Sequence, residues 1–324
     1  AKPVKGLYFL LTYLYKRQMI NKDYFFKSIL LALSVFLSAF NSFAQRNVHQ
    51  DIPEFDLAFE HFELPGGANG NSVAKIIQDS LGYLWFGSQG GLHRYDGSNV
   101  ITYTSDPINQ NTLNSDYIED ICLDRNGTIW LTHWSGGGLT AFNPDQEKFT
   151  RYTNDPDDPE SILFGDTGPV IQDSEGAIWV GGRIGLSRLD PSTGKFKRYS
   201  HDPEDPHSLS NNEIRGLYVD KAGTLWVATG MAWTLNGEGG LNRYDAETDS
   251  FERFLHDPGD STSISNNKVR AMFEDSQGNF WVGTGGDGLH LFDKTNQTFT
   301  RYTHDPEKPG KLSMPFLQGT DSIN

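Results

Sequence analysis

A chain of 324 residues with 36% hydrophobic residues, 13% aromatics and 34 glycines can bury a sizeable core. Its mix suits many short strands joined by tight turns better than long helices. The net charge of −15 argues against nucleic acid or an anionic membrane as partner and reads most simply as a soluble acidic surface.

The first segment with a pattern is residues 19–44. Met19 is a candidate start, Lys22 and Lys27 form a basic stretch, and "ILLALSVFLSAF" (29–40) is a short apolar run. "SFA" (42–44) then puts small residues ahead of Gln45, the pattern of a cleaved export signal. Residues 1–18 read as a non-native upstream extension. An exported chain whose only cysteine is Cys122 makes no internal disulfide. Cys122 lies in an apolar strand pattern and is expected to pack rather than react; nor does it follow the signal, so a lipoprotein anchor is not supported.

After an N-terminal segment (45–70) carrying an outer closing strand, a paragraph of sequence is written five times. Its tryptophans are Trp85, Trp130, Trp179, Trp226 and Trp281, at spacings of 45, 49, 47 and 55 residues. Periods of that size belong to propeller blades or similar arrays. Each copy holds four short strand signals, such as "VRAMFED", "NFWVGT", "GLHLFD" and "TFTRYT" in the last. That count predicts an all-β propeller of four-stranded blades: blade one at 71–113, two at 114–162, three at 163–209, four at 210–264 and five at 265–312. Residues 313–324 resemble the opening of a further blade, so a ring cut from a larger one is expected.

The turns repeat too. Asp79, Asp124, Asp173, Asp220 and Asp275 each stand three residues before Gly82, Gly127, Gly176, Gly223 and Gly278. The carboxylate is expected to accept turn amides and the glycine to turn left-handed. The tryptophan should then pack against a neighbouring blade. Pro169 interrupts the first strand of blade three, which suits an inner edge on the central channel. Connectors such as "HDPEDPHSLSNN" begin with Asp-Pro turns. Their recurring His201, His256 and His304 are better explained as scaffold than as metal ligands, because ligands must converge on one ion.

The repeat resembles the two-component regulator propeller family, whose blade reads approximately D-x-x-G-x-[LI]-W-[VIF]-G-T-x-x-G-L-x-R-[FY]-D. Copies one and five match nearly throughout. Copy two has "LTH" for "VGT", with Ala141 and Asn143 replacing Arg and Asp; copy three has Gly182 for Thr; copy four is extended after Thr229. The resemblance implies a periplasmic sensor region of an inner-membrane receptor, often a hybrid histidine kinase, in many members linked to carbohydrate. No kinase motif or second membrane segment occurs in the sequence, so this region is not expected to be an enzyme itself.

The strand 2–3 loops differ from blade to blade on an otherwise uniform frame, where binding chemistry tends to concentrate. His133 and Trp134 lie in one loop; Trp233, Asn236 and Glu238 lie in another. Trp faces stack on sugar rings while amide and carboxylate groups bond hydroxyls. Burial of both tryptophans is the plainer alternative. Arg183 could meet an anionic group or close a blade-to-blade ion pair. The expected partners are a small-molecule or oligosaccharide ligand, the rest of the same receptor and a second copy of the chain, with no cofactor and no metal. A secreted glycoside hydrolase or lyase, or a passive scaffold, is the alternative. The Asp of an S-x-D-x-G-x-x-W box stands five residues before Trp, not six as here, and Glu238 alone is not the carboxylate pair a glycosidase needs.

Overall fold

Each Asp-x-x-Gly turn is tied by one carboxylate working in two directions. In the third copy Asp173 Oδ1 accepts the Glu175 and Ala177 N–H groups at 3.0 and 2.9 Å. Its Oδ2 accepts the Trp179 indole N–H at 2.7 Å. Asp79, Asp124, Asp220 and Asp275 hold Trp85, Trp130, Trp226 and Trp281 in the same way, at 2.8, 2.9, 2.9 and 3.0 Å. The turn glycines have φ between 83° and 100°, where a side chain would be strained. The turn chemistry is therefore as the sequence predicts, with one addition: the Asp also anchors the blade's tryptophan.

The computed structural model describes residues 62–303 apart from 135, 137, 164, 232–237 and 287. The export-signal segment and the expected further blade lie outside those residues. Blade one comprises β1 (Val73–Gln78), β2 (Leu84–Ser88), β3 (Gly91–Tyr95) and β4 (Val100–Tyr103). Blade two comprises β5 (Ile118–Leu123), β6 (Ile129–His133), β7 (Leu139–Asn143) and β8 (Lys148–Tyr152). Blade three comprises β9 (Thr167–Gln172), β10 (Ile178–Gly182), β11 (Leu186–Asp190) and β12 (Lys195–Tyr199). Blade four comprises β13 (Ile214–Val219), β14 (Leu225–Thr229), β15 (Gly240–Asp245) and β16 (Ser250–Phe254). Blade five comprises β17 (Val269–Glu274), β18 (Phe280–Thr284), β19 (Leu289–Asp293) and β20 (Thr298–Tyr302). Every blade is an antiparallel meander in chain order, so the protein is an all-β propeller. Pro169 lies in β9, the edge strand of its sheet, where a missing N–H costs no ladder bond.

The inner strands pack in series, β1 on β5, β5 on β9, β9 on β13 and β13 on β17; no such packing joins β17 to β1 among the described residues. Burial follows this open arrangement. β6 and β14, sandwiched on both faces, are buried at every position, whereas β18 is buried at only two. The tryptophans fill the gaps between blades. Trp226 meets Phe280 and Phe292 of blade five, and Trp179 meets Tyr244 of blade four. Trp85, Trp179 and Trp226 are at most 1% exposed. At ~200 Å² of surface each, such burial is worth about 5 kcal/mol per ring. Trp281 has no described blade beyond it and is only half-buried.

A second device holds each connector, and the sequence reading missed it. Arg198 on β12 donates to the Ser161 and Asp158 carbonyls and to Ser161 Oγ of the segment leading into its blade. Arg253 and Arg301 repeat the grip on the Ser208 and Ser263 carbonyls, and Arg151 on that of Thr112. Blade one has Thr102 at this position. Two of the three connector histidines are tied into the scaffold: the His201 and His256 rings contact the Leu209 and Ile264 carbonyls through Nδ1, at 2.6 and 2.8 Å, while His304 lies outside the described residues. Cys122 packs among blade two and three apolar groups, and burial raises its thiol pKa, as befits a packing residue.

One buried polar group carries a pH signature. His133 closes β6 fully buried, its Nε2 2.8 Å from Thr140 Oγ1. Its Nδ1 lies towards the Ser115 and Tyr117 carbonyls without a well-formed hydrogen bond. Burial lowers its pKa from 6.5 to about 4.

Two outcomes are expected. Asp173→Ala strands the buried Trp179 and Ala177 N–H groups and should lower unfolding free energy by about 2–4 kcal/mol; an unchanged denaturant midpoint would contradict this. The folded chain keeps His133 neutral while the unfolded chain protonates it near pH 6.5, so its contribution is full above that pH. It is lost as pH falls towards about 4, a change of about 3 kcal/mol. Urea midpoints between pH 7 and 4 should flatten in His133→Asn.

Candidate ligand-binding face

A meander of four strands sends its 2–3 loop and its connector to one end, and its 1–2 and 3–4 turns to the other. On the loop end, each blade ties the first loop residue to the start of its inner strand. Gln89, Trp134, Arg183, Gly230 and Gly285 N–H groups donate to the Ser72, Tyr117, Asp166, Glu213 and Lys268 carbonyls, at 2.8–3.3 Å. Five variable residues are thereby fixed beside five others at the rim of the channel.

The inner strands also share an irregularity at this rim. Register with the second strand slips between Val73 and Lys75, Ile118 and Asp120, Ile214 and Gly216, and Val269 and Ala271. The slip leaves Ala74, Glu119, Arg215 and Arg270 as bulge residues. Bulges re-aim a side chain and are frequent beside functional sites. Here three of the four carry charge.

The rim is electrostatically graded. In blade two the Glu119 carboxyl is pushed up by burial and by Asp120, with Arg215 opposing and Asp166 reinforcing. In blades four and five the Arg270 guanidinium is lowered by burial and by Arg215, with Glu213 opposing. Glu213 is itself buried and ion-paired to Arg215. Perturbed ionisable groups gathered at a channel mouth are candidates for a functional site.

Trp134 is 38% exposed and its ring centre lies 6.2 Å from that of Tyr117. Gln89 Nε2 donates to the Tyr117 hydroxyl at 2.8 Å. The result is an aromatic ledge on blade two with a neighbouring amide from blade one. Arg183 is exposed and lies 3.6 Å from Asp166. That pair is within blade three, not between blades as one alternative had it, because both residues flank the same strand pair.

Of the residues singled out by sequence, Trp134 and Arg183 stand on this face in adjacent blades, and Glu238 is exposed at the end of the blade-four loop. Trp233 and Asn236 lie outside the described residues. His133 is a correction. It is the last residue of β6, a strand covered on both faces, and its ring is 0% exposed beside Thr140, so it cannot meet a ligand. Tyr117, Glu119, Asp166, Arg215 and Arg270 were not singled out. Their signal was available as variation at the residues flanking the first apolar position of each inner strand.

The model of the family described as two component regulator propeller matches residues 208–231 and 263–286. No curated protein matches. Among solved structures, the chain is 28% identical to the extracellular domain of the hybrid two component system BT3049 from B. thetaiotaomicron, with a TM-score of 0.58. The alignment covers 71% of this chain and 30% of that one, so the chain spans under a third of that structure's length. A virginiamycin B lyase from Staphylococcus aureus shares the fold at 16% identity and TM-score 0.54, over 77% of this chain and 75% of that one. PorZ, a surface component of the type-IX secretion system of Porphyromonas gingivalis, does so at 16% and 0.51, over 74% and 34%. The chain is thus a β-propeller of five four-stranded blades, two of which, blades four and five, contain stretches matching the two component regulator propeller model.

Proposed function

We propose that this chain is the ligand-sensing, extracytoplasmic part of a two-component signalling receptor and that its ligand is a carbohydrate. The family repeats and the likeness to an extracellular domain of a hybrid two component system support the receptor reading. The export pattern at residues 19–44 agrees with it. The ligand reading rests on one observation above the others: an exposed Trp134 beside Tyr117, whose hydroxyl accepts from Gln89, on the face where the blades differ and where blade three presents Arg183 and Asp166. A sugar presents a C–H face to an aromatic ring and hydroxyls to amide, carboxylate and guanidinium groups. Binding there would be read out by the remainder of the receptor, and the domain would act by binding rather than by catalysis.

Calorimetric titration of the protein with an oligosaccharide panel tests this. A binding sugar should lose about tenfold or more in affinity in Trp134→Ala and in Arg183→Ala, at unchanged melting temperature; tenfold corresponds to about 1.4 kcal/mol. Unchanged affinity in both variants removes the ligand from this face. Chromatography of the incubated sugars separates the rival class, since a cleaved product would mark an enzyme.

A further inference from the structure

The opposite face, formed by the 1–2 and 3–4 turns, brings each box aspartate up to the boundary with the next blade. At the boundary of blades four and five, Lys294 reaches back from just beyond β19. Its Nζ donates to Asp220 Oδ2 at 2.6 Å and Glu274 Oε2 at 3.1 Å. The ammonium lies 4.7 Å from the Phe280 ring centre and 5.9 Å from that of Trp226. One aspartate that ties a turn is thus neutralised by a lysine from the next blade.

Alignment of the repeats puts Ala246 in the lysine's place in blade four and Pro191 in blade three. Neither residue can supply a cation, and both line cavities. Ala246 and Asp173 line one of about 400 Å³. Pro191 and Asp124 line one of about 920 Å³. The smaller has an internal substitute, because Arg188 Nε lies 3.9 Å from Asp173 Oδ2 and the guanidinium covers Trp179 at 5.6 Å. The larger has none. Ala141 stands where blade three has Arg188, so no guanidinium reaches over Trp130 from its own blade.

The bases around the larger groove are already matched. Lys195 pairs with Glu160 at 2.6 Å, Arg188 with Glu175 at 3.1 Å and Lys197 with Asp249. Asp124 is 8% exposed, and no Lys or Arg among the described residues comes within ion-pair distance of it. A carboxylate this buried favours a counter-charge, and the molecule shows at the blade four–five boundary what that counter-charge looks like.

We infer that the groove between blades two and three binds a primary alkylammonium ion, seated as Lys294 is seated at the boundary of blades four and five. The ammonium donates to Asp124 Oδ2, and the Gln172 amide stands where Glu274 provides the second acceptor. The alkyl chain follows the path that Lys294 would take from position 191. A free aliphatic diamine and a lysyl side chain share this chemistry. The site is on the face away from the aromatic ledge and does not depend on what binds there.

Trp130 donates its indole N–H to Asp124 Oδ2 at 2.9 Å, so that proton reports on the carboxylate. ¹⁵N-labelled protein, with the Trp130 signal assigned through Trp130→Phe, would be titrated at constant ionic strength with n-butylammonium, 1,5-diaminopentane and a blocked lysine amide. The Trp130 indole signal should shift saturably, while the Trp226 signal, already beneath Lys294, should not. Pro191→Lys supplies the cation internally and should weaken the response at Trp130 at least tenfold. Lys294→Met should create a response at Trp226 without touching blade three. Response to the diamine alone or to the lysine amide alone identifies the source, each in agreement with the inference. A Trp130 signal no more responsive than that of Trp226, or a response that survives Pro191→Lys, overturns it.

Discussion

The structure depends on a single carboxylate used twice. In each blade the box aspartate satisfies two backbone amides of a tight turn with one oxygen and an indole N–H with the other. The first interaction sets where the second strand starts; the second sets the rotamer of the largest side chain on it. A tryptophan so held packs on its own sheet and against the blade ahead. Local turn chemistry therefore becomes inter-blade packing, which is how a sheet too small to bury both faces alone joins a stable array.

From that frame the two ends of the propeller diverge in character. The turn end is bound by repetition, each box aspartate holding its indole, and at the blade four–five boundary Lys294 adds a cation from the next blade. The loop end repeats only a backbone bond from blade to blade, its side-chain contacts differing in each. Its first loop residues hang from carbonyls of the inner strands, so their side chains are free to differ without disturbing the fold. Bulges at the start of the inner strands add a second set of variable residues to the same rim. Glu119, Arg215 and Arg270 are charged there because a bulge residue owes nothing to the ladder and can be spent on the channel.

The connectors show how edges are managed in such a design. The outer strand of a blade would expose a row of unpaired amides. The Phe196, Phe251 and Phe299 N–H groups instead donate to the Glu160, His207 and Thr262 carbonyls of the preceding connector. The strand-four arginines then fasten the same segment. Asp-Pro turns, a serine or threonine, a buried leucine or isoleucine and an arginine on the far strand thus form one unit scattered over about a blade's length of sequence.

Much of this was legible from residue types and spacing alone. The Asp-x-x-Gly turns, the five recognisable blades, the strand order and the scaffold role of His201 and His256 all follow from interactions within a few residues, which sequence displays directly. What tertiary structure decided lies across blades. The Asp-to-Trp bond spans six residues and could be guessed only once the turn's geometry was known. His133 reads like a loop ligand beside Trp134, yet it is the last residue of a strand covered on both faces, while Trp134 stands one residue beyond it on the surface. The charged rim is made of bulge residues, and a one-residue slip in register leaves no mark in an apolar pattern. The lysine that closes one groove and the proline and alanine that leave two others open sit at aligned positions. Their meaning appears only when the neighbouring blade's aspartate is seen opposite them, because charge compensation is a property of what meets in space.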